Sequence, residues 1–177
     1  AKQIFCDKHR KIARKIAAES FVLLKNEGNI LPLQKKGTVA VIGPLANTKA
    51  NMPGTWSVAA VAENIPTLVE GMRFALGDKV DIITAKGSNL MSDAAYEERA
   101  TMFGRSLNRD SRTDQQLLNE ALEVAAKADV IVAAIGESSE MSGECSSRSE
   151  LDIPDTQRTL LEALLKTGKP VVLTLFT

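Results

Sequence analysis

Glu137, Glu140, Glu144 and Glu150 fall within one short polar stretch, interleaved with serines, Cys145 and Arg148. Carboxylic acids at this density can serve as general acids or bases, can collect a hard cation through their oxygens, or can form a solvated acidic loop. Other chemistries lack their residues. The single His9 lies in a basic run from Lys8 to Lys15 near the start of the chain, so neither a serine nor Cys145 has an evident base, and a triad is not expected. Cys6 and Cys145 show no metal-ligand spacing with His9 and are not expected to pair with each other. No Gly-x-Gly-x-x-Gly and no Walker A pattern follows any strand-like run, which leaves a dinucleotide or phosphate cradle without its residues.

The acidic stretch must be positioned by what precedes it. Val130 to Ile135 is an apolar, β-branched run of strand length, buried on both faces if the sheet is parallel, and Gly136 ends it. A carboxylate-rich loop thus leaves the carboxyl end of a central strand, the edge at which open α/β sheets bind ligands. Further strands are expected over Thr38 to Ile42, Val80 to Ala85 and Pro170 to Thr177. Trp56, the only tryptophan, lies on the long loop after the first of these, at the same edge.

Helical spacing alternates with the strands. Asp7 to Lys25 places Ile12, Ile16, Leu23 and Leu24 on one face of an amphipathic helix docked on something, and its basic first turns are read as a solvated face. A second helix is expected from Pro66 to a stop at Gly77, and another after the capping box Thr113 to Gln116. The last begins at Pro154 and Asp155 and closes at Gly168. Residues Ser88 to Arg112 read as a mobile polar insertion with a short helix capped by Ser92. Strands separated by helices imply an α/β fold: a three-layer sandwich, flavodoxin-like or Rossmann-like, with a mostly parallel central sheet. Residues 1–37 read as a lead-in helix and linker, and residues 38–177 as the sandwich, expected to be truncated because the last apolar run is still in progress at Thr177.

Composition narrows the partners. The 177 residues carry 22 basic and 22 acidic side chains, so no net charge draws the chain to nucleic acid or an anionic membrane. No apolar run approaches the roughly 20 residues of a membrane helix, and no signal peptide opens the chain. For the acidic loop, three readings stay open on residues alone: a general acid or base acting on a glycosidic oxygen, a Ca²⁺ or other cation site, or a solvated loop.

Several stretches, in order, carry a resemblance. They are AAESFVLLKN from Ala17 to Asn26 with Leu31-Pro32-Leu33 after it, VAVIGPLA from Val39 to Ala46, and Gly54-Thr55-Trp56-Ser57. Gly143-Glu144, Arg148, Ile153-Pro154 and Gln157 follow, then TGKPVVL from Thr167 to Leu173. The chain resembles the second, α/β sandwich domain of glycoside hydrolase family 3, on its periplasmic β-glucosidase branch. The resemblance implies a retaining exo-β-glycosidase acting on terminal β-D-glucosyl residues of a β-glucoside or oligosaccharide. It also implies a (β/α)₈ barrel of the same chain, before this domain, carrying the aspartate nucleophile, a periplasmic or secreted location, and no cofactor or metal. The fragment by itself would be inactive.

Against the family pattern Gly-Glu-Gly-x-Asp-Arg, the chain matches at Gly143, Glu144 and Arg148 and departs at Cys145 and Ser147. Glu144 is then the expected acid/base, with Glu140 the alternative if the loop is shifted by four residues. The resemblance puts Trp56 in a wall of the leaving-group subsite and Arg148 at the substrate, or holding the loop or the acid by a charged pair. Glu137 at the strand end is read as structural. The competing reading is a non-catalytic carbohydrate-binding or regulatory module that kept the fold.

Overall fold

The computed structural model describes residues 6–54, 56–57, 59–99, 107–139, 141–142, 144 and 146–177. Contacts divide the chain into two units, Ala1–Gln34 and Lys35–Thr177. In the first, α1 (Asp7–Ser20) gives way to extended backbone at Phe21, short of the expected Lys25. The Ser20 hydroxyl donates back to the Ala17 carbonyl at 2.8 Å, a local bond of the kind that competes with the next helical turn. No residue of α1 is buried, and Ile12, Ile16 and the run from Phe21 to Leu24 are exposed.

The second unit is built on four strands: β1 (Thr38–Ile42), β2 (Asp81–Ala85), β3 (Val130–Gly136) and β4 (Val171–Phe176). All pair in parallel, in the order β2-β1-β3-β4, which is the α/β class that the alternation of signals required. The helices are α2 (Leu68–Leu76), α3 (Ala94–Arg99), α4 (Asp114–Ala126) and α5 (Asp155–Leu165). From β1 the chain passes to β2 on one side, then returns across the sheet to β3 on the other. Since such crossovers are right-handed, α2 covers one face and α4 and α5 the opposite one.

On that second face Ala121 and Ala125 of α4 and Leu160 and Leu164 of α5 pack on Ala40, Ile42, Ile131 and Ala133. The alternate residues Val39 and Val41 point to the α2 face and are equally buried, as a strand sandwiched between two helical layers requires. β4 is an edge strand, with Leu173 and Leu175 still exposed.

Two helix starts depart from expectation for the same reason. Thr67, not Pro66, begins α2: its hydroxyl accepts from Glu70 N–H while the Glu70 carboxylate accepts from Thr67 N–H, a capping box that leaves Pro66 outside. The Thr67 N–H, with help from Lys49 and against the opposing effect of desolvation, holds the Glu70 carboxyl below its usual range. At α3 the Asp93 side chain, not Ser92, accepts from the Tyr96 N–H, and Ser92 turns instead to Asp155. The capping box at Thr113 and Gln116 opens α4 as its sequence implies.

The segment expected to be a mobile insertion is held down in its described parts. Asn89, Leu90 and Glu97 are buried and Leu107 is nearly so. Arg109 pairs with Glu97 and donates to the carbonyls of Met91 and Ser92 at 2.8 and 3.1 Å. Residues 100–106 of the expected insertion lie outside the described residues.

Candidate active site

Four parallel strands put all their carboxyl ends on one edge, and the strand order reverses between β1 and β3. That crevice is the topological switch point, where the loops after two neighbouring strands part and leave room for a ligand. The loop after β1 carries Trp56, and the loop after β3 carries the acidic stretch.

Glycines let both loops depart. Gly43 (φ +139°) and Gly136 (φ +132°) each press against a neighbouring strand: a Cβ on Gly43 would lie 2.0 Å from the Ala134 carbonyl oxygen, and one on Gly136 would lie 2.0 Å from that of Phe176. No other residue could take that backbone path without pushing the strands apart. These isolated strand-end glycines, which form no dinucleotide motif, serve close backbone approach.

The acidic loop is fastened at several points. Gly136 is gripped by the buried Gln157 of α5, whose Oε1 accepts from Gly136 N–H at 2.8 Å and whose Nε2 donates to the Gly136 carbonyl at 2.9 Å and the Leu90 carbonyl at 2.8 Å. Farther along, Met141 is buried in a small second core with Leu45, Leu90 and Leu107, flanked by Met91 and Phe176. Arg148 forms an ion pair with Glu137 and donates to the Asp152 carbonyl at 2.7 Å, so one guanidinium joins the two ends of the loop. Arg158 then holds the Asp152 carboxylate at 2.6 Å, and the Ile153 N–H and Arg158 together keep that carboxyl below its usual range. Asn51, buried in the β1 loop, accepts a long 3.4 Å bond from Ser139 N–H and so links the two loops across the switch point.

The expected site residues divide accordingly. Glu144 is exposed and hydrogen-bonds to none of the described residues, while Gly143 and Cys145 on either side lie outside them, as does Glu140. Trp56 is 65% exposed on the neighbouring loop. Arg148 meets Glu137 rather than Glu144 among the described residues. No group of three or more His, Cys, Asp or Glu among the described residues is arranged to hold a metal ion.

The residues that reading by type overlooked are the fasteners. Gln157 stands on the apolar stripe of α5 with Leu160, Leu161 and Leu164, and a polar residue at a core position is the signal that could have marked it. Met141 is the only large apolar residue between Glu137 and Glu150. Asn51 carries no comparable mark.

A family model, the glycosyl hydrolase family 3 C-terminal domain, matches residues 21–177. The chain belongs to this family. It is 45% identical over 94% of its length to a periplasmic β-glucosidase of Salmonella typhimurium, covering 22% of that protein. It is 33% identical over 96% of its length to thermostable β-glucosidase B of Acetivibrio thermocellus, covering 20% of it. Among solved structures, a Listeria innocua β-glucosidase in complex with glucose superposes with a TM-score of 0.74 at 29% identity, over 100% of this chain and 21% of that one. The chain thus spans about a fifth of the length of the relatives it matches. Membership confirms the family 3 resemblance and the parallel α/β fold, and its relatives are glycoside hydrolases.

Proposed function

We propose that this family 3 domain supplies the acid/base, Glu144, of a retaining exo-β-glucosidase, and that an aspartate nucleophile comes from a (β/α)₈ barrel elsewhere in the same polypeptide. The observation that carries the reading is the contrast between two glutamates of one loop. Glu137 is spent on Arg148, which closes the loop, whereas Glu144 is exposed beyond it at the switch-point edge. A carboxyl that must give a proton to a leaving oxygen and later take one from water cannot be tied up in a permanent charged pair. The identity to a periplasmic β-glucosidase supports a glucosyl substrate and a periplasmic or secreted location. Residues 1–37 would then lead in from the barrel.

In such a site the nucleophile attacks the anomeric carbon while Glu144 protonates the departing oxygen. A covalent glycosyl intermediate results, and Glu144 then deprotonates the water that releases the sugar with retention. Trp56 offers a flat, exposed ring to a pyranose face in the leaving-group subsite. Arg148, with its bonds to Glu137 and Asp152, serves the site by holding the loop.

The test is made in the full-length polypeptide. Glu144→Gln should slow hydrolysis of an alkyl β-glucoside by roughly 10²–10⁴-fold, with a far smaller effect on formation of the intermediate from a nitrophenyl glucoside, whose phenolate leaves without a proton. With the nitrophenyl glucoside, azide should restore turnover by replacing the water that Glu144 activates, and yield the β-glycosyl azide. If Glu140→Gln shows this behaviour instead, the acid lies four residues earlier. If neither does, the loop holds no acid and the non-catalytic reading gains.

A further inference from the structure

The root of the acidic loop holds a device that the proposed roles above leave unused. Residues of a parallel strand turn their N–H and C=O groups alternately to the two neighbours, and on β3 the Ala134 carbonyl faces β1, accepting from Leu45 N–H at 3.3 Å. Gly136, two residues on, faces the same way, but β1 has ended: its last pair is Ile42 with Ala133. On the other side Glu137 N–H continues the ladder to the Phe176 carbonyl at 2.9 Å. The Gly136 N–H and C=O would therefore be buried without a strand to meet them, which would leave both groups without a hydrogen-bond partner. The Gln157 amide fills the gap. It presents one acceptor and one donor in the geometry of a peptide group and uses its remaining N–H on the Leu90 carbonyl.

We infer that Gln157 is a positioning residue for the proposed acid: its fully buried amide stands in for the missing stretch of β1, locks the direction in which the chain leaves β3 toward Glu144, and ties that root to the segment at Leu90. The inference rests on Glu144 being the acid/base. A misplacement of about 1 Å can cost on the order of 10²-fold in rate, so a loosened root should be felt at the loop that carries the acid.

The experiment uses the full-length polypeptide and three variants, Gln157→Met, Gln157→Glu and Glu144→Gln. Gln157→Met keeps the side-chain length but removes all three bonds. It should lower kcat/KM, which reports formation of the intermediate, by roughly 10–100-fold on an alkyl β-glucoside and by less than about 3-fold on a nitrophenyl glucoside. On the latter kcat falls together with KM, because release of the sugar still needs Glu144 as base. Amides from Gly136 to Asp152 should exchange at least about 10-fold faster while those of β1 do not. Gln157→Glu, whose neutral carboxyl keeps the acceptor and one donor, should fall between wild type and Gln157→Met, and it carries the test if Gln157→Met does not fold. Equal losses of kcat/KM on both substrates, or unchanged loop exchange, would overturn the inference. If Glu144→Gln widens the leaving-group gap and the Gln157 variants do not, the inference alone fails. If Glu144→Gln leaves the gap unchanged, the acid assignment fails and takes the positioning role with it, even if loop exchange is faster.

Discussion

Gly43 and Gly136 govern the site without touching any substrate. Each has a positive φ and lies so close to a neighbouring carbonyl that a methyl group would overlap it. Gly168 makes a clean comparison, since its φ is +72° but nothing lies within 4 Å of where its Cβ would be. Gly168→Ala should therefore cost only the left-handed backbone penalty of about 1–2 kcal/mol. Gly43→Ala adds a clash with the Ala134 carbonyl and should cost clearly more, in the range of about 3 kcal/mol or above that marks a broken backbone requirement. Urea unfolding of both variants in the same background checks this, and equal losses would show that β1 and β3 can part to admit a side chain. Glu137 and Arg148 belong to this scale too: the strand-end glutamate read as structural does have a structural partner, and that partner is the arginine assigned to the substrate by resemblance.

Amide side chains recur as fasteners between elements. Asn26 exchanges both bonds with the backbone of Leu31, Asn89 does so with Asp110, and Gln157 with Gly136. Asn89 is one of several clamps on the segment from Ser88 to Arg112. Others involve charged groups. The Arg112 side chain, above all, holds the Asp110 carboxyl well below the usual carboxylate range. At Asp155 desolvation pushes the pKa up, but the Ser92 hydroxyl and the N–H groups of Thr156 and Ser92 outweigh it, and the net direction is down. Folded carboxyls below their unfolded values add stability that is complete above the unfolded pKa, about 3.9 for Asp, and is lost as pH falls through the folded pKa. Below about pH 4 the segment should loosen first, its amides exchanging faster while those of β1 and β3 stay protected. Simultaneous loss in all three would mean that these carboxylates stabilise the unit as a whole and not this segment.

The whole molecule carries an acidic loop but accounts for only about a fifth of its relatives' length. A retaining mechanism needs a second carboxylate about 5–5.5 Å from the first, and the proposed site draws it from the barrel. The 177-residue chain alone should consequently show no turnover of an aryl β-glucoside, whose good leaving group makes it the most sensitive probe of any residual nucleophile. Activity that copurifies with the chain through two unrelated columns and disappears in Glu144→Gln would place both carboxylates within it. The uncovered apolar residues Phe21, Val22, Leu23 and Leu24 also belong to this scale, since an exposed run of that kind normally marks a surface that another part of a protein covers.

The order of strands and helices, the parallel sheet and the place of the acidic loop at its carboxyl edge were all legible in the sequence. Local patterns determine them: β-branched runs of strand length, apolar spacing on helices, the capping box at Thr113 and glycines at strand ends. Motifs quoted in order were enough to reach the family as well. The boundary errors were local too, at Pro66 and Ser92, where the neighbouring Thr67 and Asp93 made the better caps. Only the tertiary structure decided which partners fasten the root and ends of the loop. That depends on partners distant in sequence, with Gln157 reaching Leu90, Asp155 reaching Ser92, Asn51 reaching Ser139, and Met141 finding a core built from Leu45, Leu90 and Leu107. A glutamine among leucines or a methionine among serines looks like an irregularity in one dimension. It becomes a fastener only when the fold supplies an unpaired backbone group or an apolar cavity to receive it.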